Sequence, residues 1–110
     1  MMEISELGPA GLHLAAFKGR LDTETAPAIE RQLLDLLSRS RVVLDMTAVR
    51  FVTSAGLRVL LKAAKTAKSA GSGFAIYGLQ PAVREVYAIS GFDRIVIPHG
   101  SRDEAVAALS

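Results

Sequence analysis

The strongest constraint on the fold is a short apolar run that is followed, after one loop, by a helical pattern. The run Val42-Val43-Leu44 ends at Asp45, and apolar residues recur at helical spacing from Ser54 onward. A short, partly β-branched run that is apolar on both faces is typical of a buried strand. We therefore predict a strand over residues 41–45, a loop, and a helix over residues 54–70. The expected buried stripe of this helix is Leu57, Leu60, Leu61, Ala64 and Ala67.

The start of this helix carries two neighbouring hydroxyl side chains. Ser54 stands where a side-chain oxygen can cap the free N–H groups of a helix, and Thr53 can take the same role. The first turn of a helix carries partial positive charge, which favours a phosphate group at that position. A phosphate can therefore be added here without unfolding the helix.

Strand and helix patterns alternate along the rest of the chain. Two short strands are predicted over residues 3–7 and 11–18, with a turn at Gly8-Pro9-Ala10-Gly11 between them. The later elements are predicted in this order: a helix from about Pro27 to residues 38–40, a strand at Phe74–Tyr77, a helix from Pro81 to Gly91, a strand at Ile95–Ile97, and a helix opened by a capping box of Ser101 and Glu104.

This alternation indicates the fold class. Repeated strand–helix units imply crossover connections and mostly parallel strands. The first strand is joined to the second by a tight turn, so we expect it to be antiparallel. The prediction is an α/β fold, with residues 1–110 forming a single domain that has a mostly parallel sheet and about four helices.

Composition excludes several functional classes. The chain has 110 residues, half of them hydrophobic, and no cysteine, so disulfides and cysteine-based catalysis or zinc sites are excluded. A net charge of +2 with five percent aromatic residues does not indicate nucleic-acid binding. The sequence shows no signal peptide and no run near the roughly 18 apolar residues of a membrane span. We expect a cytoplasmic protein with neither a membrane nor a nucleic-acid partner.

Residues 45–60, with the sequence DMTAVRFVTSAGLRVL, resemble the signature of STAS domains, the bacterial anti-sigma-factor antagonists. The family pattern is an apolar strand ending in Asp, a short loop, and Asp-Ser-Ser-Gly-Leu or Ser-Ser-Ala-Gly-Leu at the start of a helix. The serine before the small residue and Gly-Leu is the family's phosphorylation site, which is Ser54 here. Many members carry Asp just before it, where this chain has Thr53, so Thr53 is the alternative acceptor.

The resemblance implies a function by partner switching. Such a protein, when unphosphorylated, binds an anti-sigma factor that is also a serine kinase, and the sigma factor is released. Phosphorylation at Ser54 ends this binding, and a serine phosphatase resets it. ATP and magnesium belong to the kinase, so no cofactor or metal of this chain's own is implied.

Two further segments carry the resemblance. Gly19-Arg20-Leu21-Asp22 is similar to a family element whose Asp lies near the phosphorylation site, and Pro81–Phe92 is similar to the family's third helix with its terminating Ser-Gly segment. The partner-binding residues that the resemblance implies are Asp22, Thr53, Ser54, Ala55, Gly56 and Arg58.

Several of these residues also have a purely structural interpretation. Asp22 is as readily a helix cap as a partner contact, and Asp45 is favoured as a turn former that bonds nearby backbone N–H groups. The long helix also carries basic residues at helical spacing: Arg58, Lys62, Lys65 and Lys68. For these residues a solvated face is favoured over a docking stripe for an acidic partner, except at Arg58.

An enzyme is disfavoured. Val52–Gly56 is a G-x-S-x-G elbow without its first glycine, and Asp93 and His99 follow it in the order of α/β-hydrolases. The chain is too short for that fold, and Asp93 and His99 flank one short predicted strand. The sequence has no metal-ligand spacing and no phosphate-binding Gly-rich loop. The remaining alternative to a switch is a non-switching STAS scaffold in a bacterial signalling complex.

Overall fold

A five-stranded sheet in the order β1-β2-β3-β4-β5 forms the centre of the molecule. The computed structural model describes residues 2–7 and 11–109. The strands are β1 Met2–Glu6, β2 Leu12–Leu21, β3 Arg41–Val52, β4 Phe74–Tyr77 and β5 Pro98–His99. The helices are α1 Ala26–Leu37, α2 Ser54–Ser69, α3 Pro81–Ile89 and α4 Arg102–Ala108, with a 3-10 turn at Phe92–Arg94. Within this part of the chain, no helix is long and apolar enough to cross a membrane.

The strand pairing confirms the predicted α/β class. β1 runs antiparallel to β2, whereas β2–β3, β3–β4 and β4–β5 are all parallel. Each parallel pair is joined through a helix, as parallel neighbours require. The antiparallel first strand and the four helices agree with the sequence prediction. Residues 8–10 of the predicted first turn lie outside the described residues.

The sheet separates two apolar clusters of unequal size. The larger lies between the sheet and α1, α2 and α3, and its fully buried members include Leu33, Leu44, Met46, Leu60, Ile76 and Tyr87. The smaller lies between the sheet and α4 and consists of Leu12, Val43, Ala75, Tyr77 and Ala105. Val43 and Leu44 fall in different clusters because successive strand residues point to opposite faces.

The third strand is longer than its sequence pattern predicts. It was expected to end at Asp45 but continues for seven residues, to Val52. β4 pairs only with residues 42–45, whereas β2 stays paired with β3 until Leu21 meets Val52. The buried residues of the extension are Met46, Val49 and Val52. They are three residues apart because irregularities in register shift the alternation, so a search for period two misses this strand.

The segment before α4 also differs from the prediction. Residues 95–97 were expected to form the last strand, but only Pro98–His99 pair with β4. The buried Tyr87 hydroxyl donates a 2.6 Å hydrogen bond to the carbonyl of Val96, and its ring stacks on Phe92 with centroids 4.8 Å apart. Burial raises the pKa of Tyr87, which keeps its hydroxyl protonated as the donor. These contacts hold the segment against α3 instead of in the sheet.

Helix α4 begins with a modified form of the predicted capping box. The Ser101 hydroxyl accepts the N–H of Glu104 at 3.2 Å, as expected. The Glu104 carboxylate reaches back to the N–H of Gly100 at 2.9 Å, one residue earlier than the standard box has it. Both bonds satisfy backbone donors at the start of the helix.

Two glycines with positive φ allow backbone strain and close packing to be measured separately. Gly78 has φ +81°, and a Cβ there would overlap Cγ2 of Thr47, whereas Gly71 has φ +67° and no heavy atom within 4 Å of that position. We expect Gly71→Ala to lower the free energy of unfolding by about 1 kcal/mol. Gly78→Ala should lower it by about 1–3 kcal/mol more, because the new methyl group overlaps Thr47. Urea denaturation measures both values, and equal losses would contradict the close approach to Thr47.

Candidate functional site

The predicted site lies at the carboxyl ends of the neighbouring parallel strands β2 and β3. Leu21 and Val52 are their last paired residues, and Asp22 and Thr53 come directly after them. The backbone N–H of Thr53 donates to the carbonyl of Leu21 at 3.0 Å. This bond holds the turn before α1 beside the start of α2. Asp22 and Ser54 are therefore brought to the same end of the sheet, where ligands and partners of α/β folds commonly bind.

The N-cap of α2 is Thr53, not Ser54. Its backbone is extended, and its hydroxyl oxygen accepts the N–H of Gly56 at 3.3 Å. The same hydroxyl donates to the carbonyl of Leu21 at 3.5 Å. The Thr53 hydroxyl is therefore engaged both as acceptor and as donor, and the side chain is half-buried. Of the two capping candidates in the sequence, the structure selects Thr53.

Ser54 is the first residue of α2 and is exposed. Its hydroxyl makes no hydrogen bond to any residue in the described ranges. It lies beside the free N–H groups of the first turn, at the positive end of the helix dipole. The first turn of α2 contains no acidic residue, so a negative group on Ser54 meets no carboxylate there.

Gly56 is required because α2 begins in direct contact with β2. A Cβ on Gly56 would lie 2.5 Å from the carbonyl oxygen of Leu21 and 2.6 Å from its Cγ, far closer than such atoms approach. Any larger residue would push the first turn of α2 away from Leu21. The displacement would stretch the cap formed by Thr53. The glycine of the Ala-Gly-Leu motif therefore serves close packing.

Asp22 organises the turn that leads into α1. Its Oδ1 accepts the N–H groups of Thr25 at 3.1 Å and Glu24 at 3.0 Å, and its Oδ2 lies 3.1 Å from Nε of Arg20. The hydrogen bond from Thr25 is the main cause that holds the pKa of the Asp22 carboxyl below its ordinary value. Asp22 therefore has a structural role, but it organises the turn before α1 and is not the predicted helix cap, because the N-cap is Thr25. Its side chain remains 19% exposed.

The sequence analysis missed an aromatic side chain beside this turn. Phe51 is 46% exposed, and the guanidinium carbon of Arg20 lies 4.9 Å from its ring centroid. Arg20 also pairs with Asp22, so one guanidinium joins the end of β3 to the turn before α1. A cation over an aromatic face is favourable at exposed sites. The only sequence indication was an aromatic residue close before the predicted start of the helix at Ser54.

A groove begins at Ser54 and follows α2. Its first part is a cavity of about 250 Å³ lined by Ser54, Leu57, Arg58, Leu61, Ser90, Phe92 and Ile95. Arg58 lies four residues after Ser54 on the same side of the helix, within reach of a group attached to Ser54. The opposite wall, formed by residues 90–95, was missed because residues 95–97 were predicted to lie in the sheet.

Asp45 does not end the third strand, contrary to the prediction, and it lies away from the edge of the sheet that holds Ser54. Because β3 continues to Val52, Asp45 lies well before the end of the strand, next to Tyr77 of β4. Its Oδ1 accepts the backbone N–H of Thr47 at 2.8 Å and the Thr47 hydroxyl at 2.7 Å. Burial, together with the hydrogen bond to Asp45, raises the pKa of Tyr77 to about 12. Asp45 therefore bonds a nearby backbone N–H group, as its structural interpretation has it, but it does so within β3 and not in a turn.

The candidates for a hydrolase triad lie in three different elements. Ser54 starts α2, Asp93 lies in the 3-10 turn, and His99 ends β5. Ser54 lines the groove described above, whereas His99 lines a second cavity farther along α2. Across residues 2–7 and 11–109, no group of three or more His, Cys, Asp or Glu side chains is placed to hold a metal ion.

Comparison with known proteins gives consistent matches. The family model for the STAS domain matches residues 10–107. BtrV of Bordetella bronchiseptica, which carries the provisional name of an anti-sigma factor antagonist, is 36% identical over 100 residues, covering 89% of this chain and 86% of BtrV. The solved structure of an anti-sigma factor antagonist from Mycobacterium paratuberculosis is 25% identical, with a TM-score of 0.83 over 99% of this chain and 94% of its own. Unphosphorylated SpoIIAA, at 15% identity, shares the fold with a TM-score of 0.79 over 98% and 95%.

The two hydroxyls at the start of α2 should differ in their effect on stability. Thr53→Ala removes the cap of the Gly56 N–H, and we expect it to lower the free energy of unfolding by about 1 kcal/mol. Ser54→Ala removes an exposed hydroxyl without a partner and should change it by less than about 0.5 kcal/mol. Thr53→Ser, which keeps the capping oxygen, is the control for Thr53→Ala. A larger loss from Ser54→Ala than from Thr53→Ala in urea denaturation would show that Ser54 is the cap.

Proposed function

Because this chain belongs to the STAS domain family of anti-sigma factor antagonists, we propose that it is a phosphorylation-controlled partner switch. With Ser54 unphosphorylated, it binds an anti-sigma factor that has serine kinase activity, and the sigma factor is released. The kinase then transfers phosphate to Ser54 and the complex dissociates. The observation that supports this most is the exposed Ser54 hydroxyl at the positive end of α2, beside the Asp22 turn.

The proposed contact surface contains residues that touch the partner and residues that shape the site. Ser54 and Arg58 are exposed, and Asp22 and Ala55 are half-buried, so all four present atoms to a partner. Gly56 is buried, and Thr53 uses its hydroxyl internally. The last two therefore act by holding the first turn of α2 in place.

The fold of this chain tolerates the phosphate that the proposal requires. A phosphoserine adds a charge of about −1.5 to −2 at neutral pH. At Ser54 that charge lies at a helix N-terminus, with Arg58 one turn away, and both favour an anion. Binding of the partner is disfavoured by the same charge. The close contact between the two proteins would have to accommodate a hydrated dianion. SpoIIAA, which has the same fold, has been solved in both an unphosphorylated and a phosphorylated form.

The magnitude needed for a switch is modest. A loss of roughly 3 kcal/mol in binding free energy weakens a complex more than a hundredfold. Repulsion and desolvation of one dianion in an interface are of this order. ATP and magnesium are supplied by the partner kinase, and a serine phosphatase returns the protein to its binding state.

The binding switch is tested with four baits in host lysate: wild type, Ser54→Ala, Ser54→Glu and Ser5→Glu. Ser5 is exposed on β1, so Ser5→Glu adds the same charge away from the site. We expect an ATP-dependent serine kinase on every bait except Ser54→Glu. Titration of the purified kinase should then show a loss of about a hundredfold for Ser54→Glu alone. Equal capture by all four baits would instead make the protein a non-switching scaffold.

The acceptor hydroxyl is tested with the captured kinase and ATP-magnesium. We expect Ser54→Ala to abolish phosphate incorporation and Thr53→Ala to retain it, because the Thr53 hydroxyl is half-buried and already bonded to Leu21 and Gly56. Phosphopeptide mass spectrometry identifies the modified residue. Incorporation into Ser54→Ala but not into Thr53→Ala would assign Thr53 as the acceptor.

A further inference from the structure

Helix α2 has a one-sided charge. It contains four basic residues and no acidic residue: Arg58, Lys62, Lys65 and Lys68. Lys62 pairs with Glu30 of α1, with Nζ and Oε2 3.4 Å apart. In the described part of the chain, Arg58, Lys65 and Lys68 form no ion pair, and all three are exposed. These three cations are therefore available to an external group.

The groove that begins at Ser54 continues along this helix. A second cavity of about 510 Å³ shares Ile95 with the first, and its walls include Ala64 and Lys68 of α2 and Phe74 of β4. From Ser54 to Lys68 the two cavities follow α2 for roughly 20 Å, at 1.5 Å per residue. Arg58 and Lys68 line the groove directly, and helical spacing places Lys65 on the same edge between them.

The surface inside the groove is apolar. Leu57, Leu61 and Ala64 were predicted to be core residues but are only half-buried, because the buried face of α2 is centred on Val59, Leu60 and Ala63. On the opposite wall, Ile95 is 59% exposed and Ile97 is 69% exposed. Of the six large hydrophobic side chains found exposed in the described ranges, Ile95 and Ile97 line this groove. Exposed apolar side chains that line a groove mark an interaction site.

We propose that this groove binds an amphipathic helix of a protein partner, with acidic residues along the edge of its apolar face. The apolar residues of that helix would fill the space between Leu61 and Ile95, at i, i+3/i+4 and i+7 spacing. Its acidic edge would face Arg58, Lys65 and Lys68. A helix of about 14 residues matches the 20 Å length. The inference rests on the proposed function only in assigning this helix to the anti-sigma factor.

The walls of the groove favour a helix over an added strand. One wall is α2, and the other is the segment of residues 92–97, which the Tyr87 hydrogen bond to Val96 holds out of the sheet. The groove meets a strand edge only at Phe74 and Ala75, the two residues of β4 that β5 leaves unpaired. An edge of two residues is too short to hold an extended peptide as an added strand. A helix needs no such edge, since all its backbone groups are bonded internally.

Two designed peptides of 16 residues test the proposal by fluorescence anisotropy. Both carry leucine at helical spacing, one with Glu and the other with Lys beside the leucines. We expect the Glu peptide to bind wild type about tenfold or more tightly than the Lys peptide, with the difference shrinking as salt rises. Backbone NMR shifts should move at Leu61, Ala64, Ile95 and Ile97. Equal affinity for the two peptides, shifts elsewhere, or no binding at about 1 mM would overturn the proposal.

Matched variants separate charge from apolar contact. Lys68→Glu should weaken the Glu peptide about threefold to tenfold, whereas Lys18→Glu, an equal change on β2, should have no effect. Ile95→Glu should abolish binding, and Ile4→Glu, at a 44% exposed position on β1, should not. Equal losses from Lys18→Glu or Ile4→Glu would overturn the proposal. The peptide assay contains no kinase, sigma factor or phosphate, so its outcome is independent of the Ser54 experiment. A failure to bind the Glu peptide would overturn the groove proposal alone, and a failure of the Ser54 switch would overturn the proposed function alone.

Discussion

The carbonyl of Leu21 is the contact on which the functional end of the molecule depends. It accepts the N–H of Thr53 and is the acceptor for the Thr53 hydroxyl, and Gly56 lies directly against it. One backbone group thus joins the last residue of β2 to the cap and first turn of α2. The contact exists only because β3 runs on beside β2 to Val52, which brings the start of α2 level with Leu21.

This geometry divides two tasks between adjacent hydroxyls. Thr53 is turned inward and satisfies the helix, which leaves Ser54 facing solvent at the same positive helix end. A side chain that both capped the helix and accepted phosphate would lose the cap whenever it was modified. Placing the cap one residue earlier removes that conflict. In the proposed switch, modification of Ser54 is thereby decoupled from the stability of α2.

The sequence predicted the fold class and the order of the main elements, because these follow from periodicity and from parallel strand topology. The placement of Asp22 near Ser54 was implied only by the resemblance to STAS domains. It missed the second half of β3, since irregular register replaces a period of two by buried residues at Met46, Val49 and Val52. It also misplaced residues 95–97, because an apolar Ile-Val-Ile run is a strand by local preference. Tertiary contacts from Tyr87 override that preference, and no local pattern shows a hydrogen bond of this kind.

That last difference changes the functional interpretation. An Ile95–Ile97 strand would have buried these side chains in the sheet and left α2 with a solvated basic face, as the sequence favoured. Their actual position creates an apolar wall opposite the basic edge. Charges in water act over only about 8 Å at physiological ionic strength, less than half the roughly 20 Å length of the groove. A phosphate on Ser54 would therefore act on the Arg58 end and leave the Lys68 end unchanged. In the proposed switch, phosphorylation would therefore weaken one end of an extended contact, and release would follow only if the Ser54 end supplied most of the binding free energy.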